Sequence, residues 1–171
     1  MPGENSGEGQ EGKIRMDFTV LRQIKLFRGL DSVQISHLAT IMEESQVAKN
    51  TVLFRENDPA EHFYIIASGR VRISKIVPGA GEEALAILDA GTYFGEMEML
   101  DQVGPAVPRA AQAIAHEKCV LLTIRYSDFR QLLQSDLELA NAFLWNMVRT
   151  LSERLRATND KVTAMFALAQ F

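Results

Sequence analysis

The pattern that most constrains the fold of this chain lies between Val47 and Arg125, where apolar residues come in short runs instead of at helical spacing. The runs are rich in β-branched and aromatic residues and are divided by Gly, Pro and Asp, which favour turns. Residues 71–76 alternate apolar and polar side chains, as a half-buried strand does, and residues 77–81 are typical of a turn between two strands. Many short strands at regular spacing predict a barrel or sandwich over residues 46–125.

The residues on the N-terminal side of these strands show helical periodicity. Apolar residues recur at helical spacing over residues 17–26. Asp31 before Ser32 is typical of an N-cap, and we expect the second helix to run to about Glu44. The sequence therefore predicts a helical lead-in over residues 17–45.

The helical period returns on the C-terminal side of the strands. Ser127 could cap a short helix that ends near Gln134, and Asp136 lies close to the start of a much longer helix. Together they predict C-terminal helices over residues 126–170.

One face of the long helix carries an apolar stripe. Its members are Leu137, Ala140, Leu144, Met147, Leu151 and Leu155. Steps close to alternating three and four residues are typical of a helix that packs lengthwise on another helix. The stripe could therefore pack on a second copy of the chain, or on the β-core of its own chain.

The composition bounds the number of domains. The chain has 171 residues, of which 47% are hydrophobic, and this is enough for one core. Residues 1–12 are mostly Gly, Glu, Gln and Ser and have too few apolar side chains to offset the entropy of ordering. We therefore predict a disordered tail over residues 1–12 and a single domain over residues 13–171.

Charge and cysteine content exclude several classes of protein. The net charge is −4 and the basic residues are scattered, so no patch for nucleic acid or for a membrane surface is evident. The start of the chain lacks the basic and apolar regions of a signal peptide, and we expect a cytoplasmic protein. The single Cys119 excludes an internal disulfide and an iron–sulfur cluster, and is expected as a small buried residue.

Two short segments, residues 91–96 and 108–111, combine the groups that bind a small cyclic phosphate. Gly95 would let backbone N–H groups approach an anion, and a turn that begins near Glu96 would aim its free N–H groups at the same point. Arg109 offers a planar charged fork for two phosphate oxygens, whereas an ionised Glu96 only accepts hydrogen bonds and suits a sugar hydroxyl.

With their flanks, these segments resemble the phosphate-binding cassette of cyclic nucleotide-binding domains, found in bacterial catabolite activators and in regulatory subunits of cyclic-AMP-dependent kinase. The similarity extends to residues 26–30, 52–58 and 63–71. The resemblance implies an α+β, mainly β fold: a β jelly-roll (double-stranded β-helix) barrel with N-terminal helices and a long C-terminal helix. It also implies a homodimer through residues 136–160.

The resemblance assigns the phosphate and ribose of a cyclic nucleotide to one set of residues. They are Phe94, Gly95, Glu96, Met97, Pro108, Arg109, Ala110 and Ala111. The segment from Glu96 to Arg109 is longer than is common in the family, so residues 104–108 must loop out. Glu98 and Asp101 add negative charge near the phosphate, which solvent would screen if they point outwards. Alternatively, Glu96 and Arg109 form a structural ion pair in a cassette that no longer binds ligand.

The choice of base depends on one position and one helix. Members that prefer guanine commonly carry Thr or Ser after the cassette Arg, where this chain has Ala110, so the resemblance favours cyclic AMP over cyclic GMP. Thr158 and Asn159 match the positions that meet the adenine amino group, from which both can accept a hydrogen bond. Alternatively, the long helix frays into solvent at these two residues.

The sequence offers little support for catalysis or metal binding. No two of His37, His62 and His116 share a metal-ligand spacing, and we interpret them as surface or local polar residues, with His62 in a turn. A glycine-flanked nucleophile elbow is missing, and Ser68 before Gly69 is typical of a turn between strands. We therefore expect no enzyme activity, no metal and no cofactor.

These observations predict a bacterial regulatory protein of signal transduction that binds cyclic AMP and acts on an unknown effector protein. The chain ends before the helix-turn-helix of the catabolite activators, so we expect it to lack its own output domain. Two alternatives remain. One is a docking module of the same fold with an empty pocket, and the other is an enzyme of the cupin barrel type, which needs clustered His and Glu metal ligands.

Overall fold

The structure is a computed structural model that describes residues 18–100 and 107–168. The helices are α1 (Phe18–Gln23), α2 (Ser32–Thr40), α3 (Met97–Leu100), α4 (Tyr126–Ser135) and α5 (Leu137–Leu168), with a 3₁₀ turn at Lys25–Phe27. The strands are β1 (Met42–Val47), β2 (Val52–Phe54), β3 (His62–Ser68), β4 (Arg70–Val77), β5 (Gly81–Asp89), β6 (Tyr93–Phe94), β7 (Gln112–Ala115) and β8 (Cys119–Arg125). The predicted tail, Asp101 and part of the predicted 104–108 loop lie outside the described residues.

The strands form two four-stranded sheets, with the orders β1-β8-β3-β6 and β2-β7-β4-β5. All neighbouring strands pair antiparallel. The predicted 77–81 turn joins β4 to β5, and Val77 pairs with Gly81 across it. The prediction of a mainly β fold with N-terminal helices and a long C-terminal helix is therefore confirmed, and its sheets are antiparallel.

One cluster of buried side chains joins the two sheets, because its members come from strands of both. They are Ile66, Val71, Phe94, Ala113, Ala115, Cys119 and Leu121. Cys119 is fully buried in this cluster, as predicted. The cluster fixes the position of β6, whose last residue, Phe94, leads directly into the predicted cassette.

A second and larger cluster holds the helices against the first sheet. The Phe129 ring of α4 meets Phe63 of β3 and Phe143 of α5 edge-on, at centroid distances of 5.1 and 4.6 Å. The Asn146 side chain of α5 donates to the carbonyl oxygens of Leu26 (3.1 Å) and Arg28 (2.8 Å). The first half of α5 is therefore fixed to the helical lead-in.

The predicted end of the second helix is wrong. Asp31 caps α2 as expected, in a capping box with Gln34, but the helix ends at Thr40 and residues 42–47 form strand β1. Each residue of β1 pairs with a residue of β8, from Met42 with Ile124 onwards. This tertiary pairing outweighs the local helix preference of the segment, so the sheets begin at residue 42 and not at 46.

Of the two predicted starts of the C-terminal helices, one is confirmed and one is wrong. Asp136 lies directly before α5, and its carboxylate accepts a hydrogen bond from the Leu139 N–H (2.8 Å), as an N-cap does. The prediction for Ser127 is wrong, because α4 already begins at Tyr126 with Arg125 as its N-cap. The Ser127 hydroxyl instead donates to the neighbouring Asp128 carboxylate.

The apolar stripe of α5 divides between two surroundings. Met147 is buried against the lead-in, whereas Leu137, Leu144 and Leu155 are exposed. The helix therefore packs one side on its own chain and leaves a second apolar side exposed, and packing on a second copy stays a prediction. Among the described residues, no helix is both long and apolar enough to cross a membrane.

Candidate functional site

The site begins where β6 ends. Gly95 follows Phe94 with φ of +75°, a left-handed conformation that side chains rarely adopt, and it turns the chain into α3. A Cβ at this position would lie 2.7 Å from Nη1 of Arg109. The absence of a side chain at Gly95 is therefore what allows the Arg109 guanidinium to lie against the backbone here.

Arg109 is buried, with 2% of its surface exposed. Its guanidinium donates to the carbonyl oxygens of His62 (2.6 Å) and Gly95 (3.2 Å), to the Tyr126 hydroxyl (3.0 Å) and to the Glu98 carboxylate (3.2 Å). Within the described residues, its Nε has no hydrogen-bond partner. The guanidinium is thus held by groups from four parts of the chain.

Aromatic and backbone contacts fix the rest of Arg109. The guanidinium carbon lies 4.1 Å from the centroid of the Phe54 ring, a cation–π distance. The backbone exchanges hydrogen bonds with the segment before β3: Arg109 N donates to Asp58 O, and Asn57 N donates to Arg109 O, both at 2.9 Å. Pro108 bridges to Pro59 in the same place.

Glu98 is the acidic partner of Arg109. It is 5% exposed; Oε2 lies 3.2 Å from Arg109 Nη1, and Oε1 accepts from the Ala110 N–H at 3.1 Å. The alternative of an ion pair between Glu96 and Arg109 is therefore wrong, and so is the expectation that solvent could screen Glu98. Its carboxylate binds two donors that the sequence assigned to a phosphate.

Glu96 pairs with the long helix instead. Its Oε1 accepts from Nη1 of Arg154 at 2.6 Å, and Arg154 also donates to the Tyr93 carbonyl and lies over the Tyr93 ring, 4.8 Å from its centroid. Burial raises the pKa of Glu96 above its ordinary value of 4.5, and the charge of Arg154 opposes part of this rise.

Sequence reasoning missed Arg154 as a site residue. The available signal was its position four residues before Thr158, which puts both side chains on one face of the helix.

A cavity of about 320 Å³ lies between these groups and α5. Of the predicted site residues it is lined by Phe94, Gly95, Glu96, Met97, Ala110, Ala111 and Thr158. Among the described residues, Pro108, Arg109 and Asn159 do not line it. Glu98 does line the cavity, and its carboxylate accepts a hydrogen bond from the Arg109 guanidinium.

The walls of the cavity combine apolar surface with charged groups from α5. The apolar walls are Phe54, Ile73, Leu85, Ala86 and Leu88. Arg154 and Lys161 face it from α5, and Lys161 Nζ donates to the Leu85 carbonyl of β5 at 3.4 Å. The cavity could hold a small molecule with a flat apolar part and acidic and hydroxyl groups.

The helix does not fray at Thr158 and Asn159, because α5 continues to Leu168. The Thr158 hydroxyl donates to the Arg154 carbonyl at 2.9 Å, within its own helix. His62, which was expected in a turn, begins β3 and serves the site through its backbone carbonyl. In the described part of the chain, no three His, Cys, Asp or Glu side chains are grouped as metal ligands would be.

The sequence of this chain matches a known domain family. The profile of the cyclic nucleotide-binding domain matches residues 44–136, which is more than half of the chain and includes the cassette. The chain belongs to the cyclic nucleotide-binding domain family. Arg154, Thr158 and Asn159 lie beyond the matched range.

Relatives of this cyclic nucleotide-binding domain are named as regulators. The cyclic AMP receptor protein of Thermus thermophilus is 30% identical over 131 residues, which cover 77% of this chain and 57% of that protein. The cAMP-dependent protein kinase regulatory subunit of Mucor circinelloides is 29% identical over 126 residues, 74% of this chain and 28% of that protein. This chain therefore spans only part of the length of either relative, and the expected lack of an output domain stays a prediction.

A solved structure extends the likeness to three dimensions. The crystal structure of a cyclic nucleotide-binding domain from Methylobacillus flagellatus has a TM-score of 0.73 and 26% sequence identity. The match covers 85% of this chain and 79% of that chain.

The contact between Gly95 and Arg109 predicts a stability difference between two glycines. Gly91 and Gly95 both have left-handed φ, but a Cβ at Gly91 would meet nothing within 4 Å. Gly91→Ala should cost about 1–2 kcal/mol of unfolding free energy through backbone strain. Gly95→Ala should cost at least about 1 kcal/mol more, because it also displaces a buried hydrogen-bonded guanidinium. Denaturant unfolding of both variants measures this, and equal losses would contradict the contact.

The raised pKa of Glu96 predicts a dependence of stability on pH. Above pH 4.5 the folded chain retains a proton that the unfolded chain has released, so the contribution of Glu96 to the unfolding free energy falls as pH rises through the folded-state pKa. Glu96→Gln removes this effect. The unfolding free energy of the variant minus that of the wild type should therefore become more positive as pH rises from about 4.5 towards neutrality.

The control for this experiment is Glu153→Gln, which removes an exposed carboxylate that precedes Arg154 in α5 and pairs with Lys25. Chemical denaturation at several pH values gives each difference. A Glu96→Gln difference that stays constant or falls with pH would mean that the Glu96 pKa is not raised.

Proposed function

We propose that this cyclic nucleotide-binding domain is a regulatory sensor that binds a cyclic nucleotide, cyclic AMP in preference to cyclic GMP, in the 320 Å³ cavity. The observation that carries the proposal is the convergence of Gly95, Glu96, Ala110 and Ala111 on that cavity, with the Arg109 guanidinium directly behind Glu98. The relatives named for cyclic AMP support the same ligand class. The chain then receives the nucleotide and is not an enzyme, and it needs no metal or cofactor.

Each part of the ligand has a matching group. The phosphate oxygens accept hydrogen bonds from the Arg109 guanidinium, which is a charged donor, and from the Ala110 N–H, which is a neutral donor. The ribose hydroxyls donate to the Glu96 carboxylate, and the purine ring lies on the apolar walls. Thr158, which lines the cavity, accepts from the adenine amino group, and the predicted contact of Asn159 requires its side chain to move, because it does not line the cavity. Ala110 has no hydroxyl to offer to guanine, which favours adenine.

The signal passes through Arg154. Glu96 is bound to Arg154 of α5, so a ribose that binds Glu96 competes with that contact. Ligand can bias the position of α5 only through such a difference in interaction between two states. The effector is a partner protein that responds to the change in the position of α5.

The uncovered side of α5 supports a homodimer through residues 136–160. Leu144, Val148 and Leu155 are all about half exposed or more. With Leu151 between them they follow steps of four, three and four residues, the spacing of two helices that pack lengthwise. Thr158 continues the same series and also lines the cavity, so a second copy would lie beside the ligand.

The proposed architecture is the jelly roll that the resemblance implies, with residues 13–171 as one domain. The two sheet orders, each combining strands distant in sequence, support it.

Calorimetric titration tests the ligand proposal. We expect saturable binding of cyclic AMP, weaker binding of cyclic GMP and none of a cyclic dinucleotide. Arg109→Ala should abolish the heat of cyclic AMP binding, because it removes the main charge for the phosphate. Arg70→Ala is the matched control: Arg70 is an exposed arginine paired with Glu117, outside the cavity lining, and its loss should leave binding unchanged.

A second variant guards against a fold defect in Arg109→Ala. Ala110→Thr adds a hydroxyl without removing a contact, and should raise the affinity for cyclic GMP relative to cyclic AMP. If the wild type gives neither heat nor a thermal shift with any of the nucleotides, the proposal fails and the docking module without ligand becomes the better description.

The dimer is tested by measuring mass in solution. The wild type should have twice the 19.1 kDa chain mass by light scattering, and Leu155→Glu should halve it because it introduces a charge into the apolar seam. Arg156→Glu is the control, since Arg156 is exposed and turned about 100° away from Leu155. A monomeric wild type, or a Leu155→Glu variant that remains dimeric, would contradict this interface.

A further inference from the structure

We propose that the Glu98 carboxylate occupies the phosphate position of the nucleotide site and has to leave it before a ligand phosphate can reach Arg109. Glu98 is then a built-in competitor that determines which ligands enter: only a group that replaces a carboxylate on both donors gains the site. The proposal rests on the proposed function for the identity of the ligand, but the anion position itself can be tested separately.

The first argument is the pairing of donors and acceptors. The two oxygens of Glu98 divide between two donors of different kinds, the Arg109 guanidinium at 3.2 Å and the Ala110 N–H at 3.1 Å. Two anionic oxygens of a phosphate would use the same two donors. Because each N–H already points at a carboxylate oxygen, phosphate and carboxylate cannot both occupy this position.

The second argument is access. Glu98 and Ala110 line the cavity, whereas Arg109 does not and is 2% exposed. A ligand that enters the cavity therefore meets the Glu98 carboxylate before it meets the guanidinium. If Glu98 kept its place, a bound phosphate would lie beside a buried negative charge instead of a positive one.

The third argument is that a ligand phosphate can displace the Glu98 carboxylate from Arg109. It contacts Arg109 through a single nitrogen, Nη1, which Gly95 and Tyr126 share. A bidentate fork would be stronger. Within the described residues, Nε of the same guanidinium is buried without a partner. The carboxylate thus leaves donor capacity that a tetrahedral anion, with oxygens in more directions, could use.

The test of the anion position uses inorganic phosphate alone. Glu98→Ala should lower the melting temperature by about 5 °C or more, because it leaves the buried Arg109 charge without its acidic partner. Added phosphate, with ionic strength held constant by sodium chloride, should then raise the melting temperature of this variant progressively and that of the wild type much less. Glu117→Ala is the control: it breaks the exposed Arg70 pair, and phosphate should not affect it selectively.

The second readout is the Kd for cyclic AMP. If the wild-type site is open for less than about a tenth of the time, Glu98→Ala should bind at least about tenfold more tightly. Glu98→Gln keeps the size of the side chain and an acceptor for the Ala110 N–H but loses the charge. It should also bind more tightly than the wild type, and it replaces the alanine variant if that one fails to fold.

The outcomes separate the two proposals. Equal or weaker cyclic AMP binding by both variants, with no selective effect of phosphate, overturns the role of Glu98 while wild-type binding upholds the proposed function. Selective stabilisation of Glu98→Ala by phosphate, with no nucleotide bound by any variant, supports the anion position and overturns the proposed function. Tighter binding by both variants supports both.

Discussion

The buried charge of Arg109 is the constraint on which the centre of this molecule depends. A guanidinium removed from water destabilises a fold unless its charge is paired and its N–H groups are hydrogen-bonded. Here the partners come from the start of β3, the turn after β6, the first residue of α4 and helix α3. One side chain thereby ties together elements far apart in sequence, and the cavity forms beside it. The guanidinium and the Glu98 carboxylate that it contacts are therefore part of the buried interior and not of the surface.

The two carboxylates of the cassette bind different arginines. Glu98 neutralises Arg109 inside the cassette, whereas Glu96 reaches out to Arg154 on α5. Both are almost completely buried, so neither is held by solvent and each depends on its arginine. A ligand that replaces Glu98 on one arginine and competes for Glu96 with the other would act on the cassette and on the long helix together. This is the physical basis of the sensor that we propose.

Local signals in the sequence predicted most of the helix starts that local interactions decide, although the cap expected at Ser127 was wrong. Asp31 and Asp136 were identified as helix starts because a cap acts within one turn. Residues 42–44 were assigned to the end of a helix because their pairing with β8, about eighty residues away in the sequence, leaves no local trace. The same distinction applies to the site. Gly95, Glu96 and Arg109 were selected as candidate site residues from the chemistry of their side chains, but which carboxylate contacts which arginine depends on tertiary packing.

The crystal structure of the complex with cyclic AMP tests the central claim most directly. We predict phosphate oxygens about 2.7–3.1 Å from the Arg109 guanidinium and the Ala110 N–H, with the Glu98 carboxylate moved away from both. A nucleotide bound elsewhere on the protein, with Glu98 still bridging Arg109 and Ala110, would contradict the account.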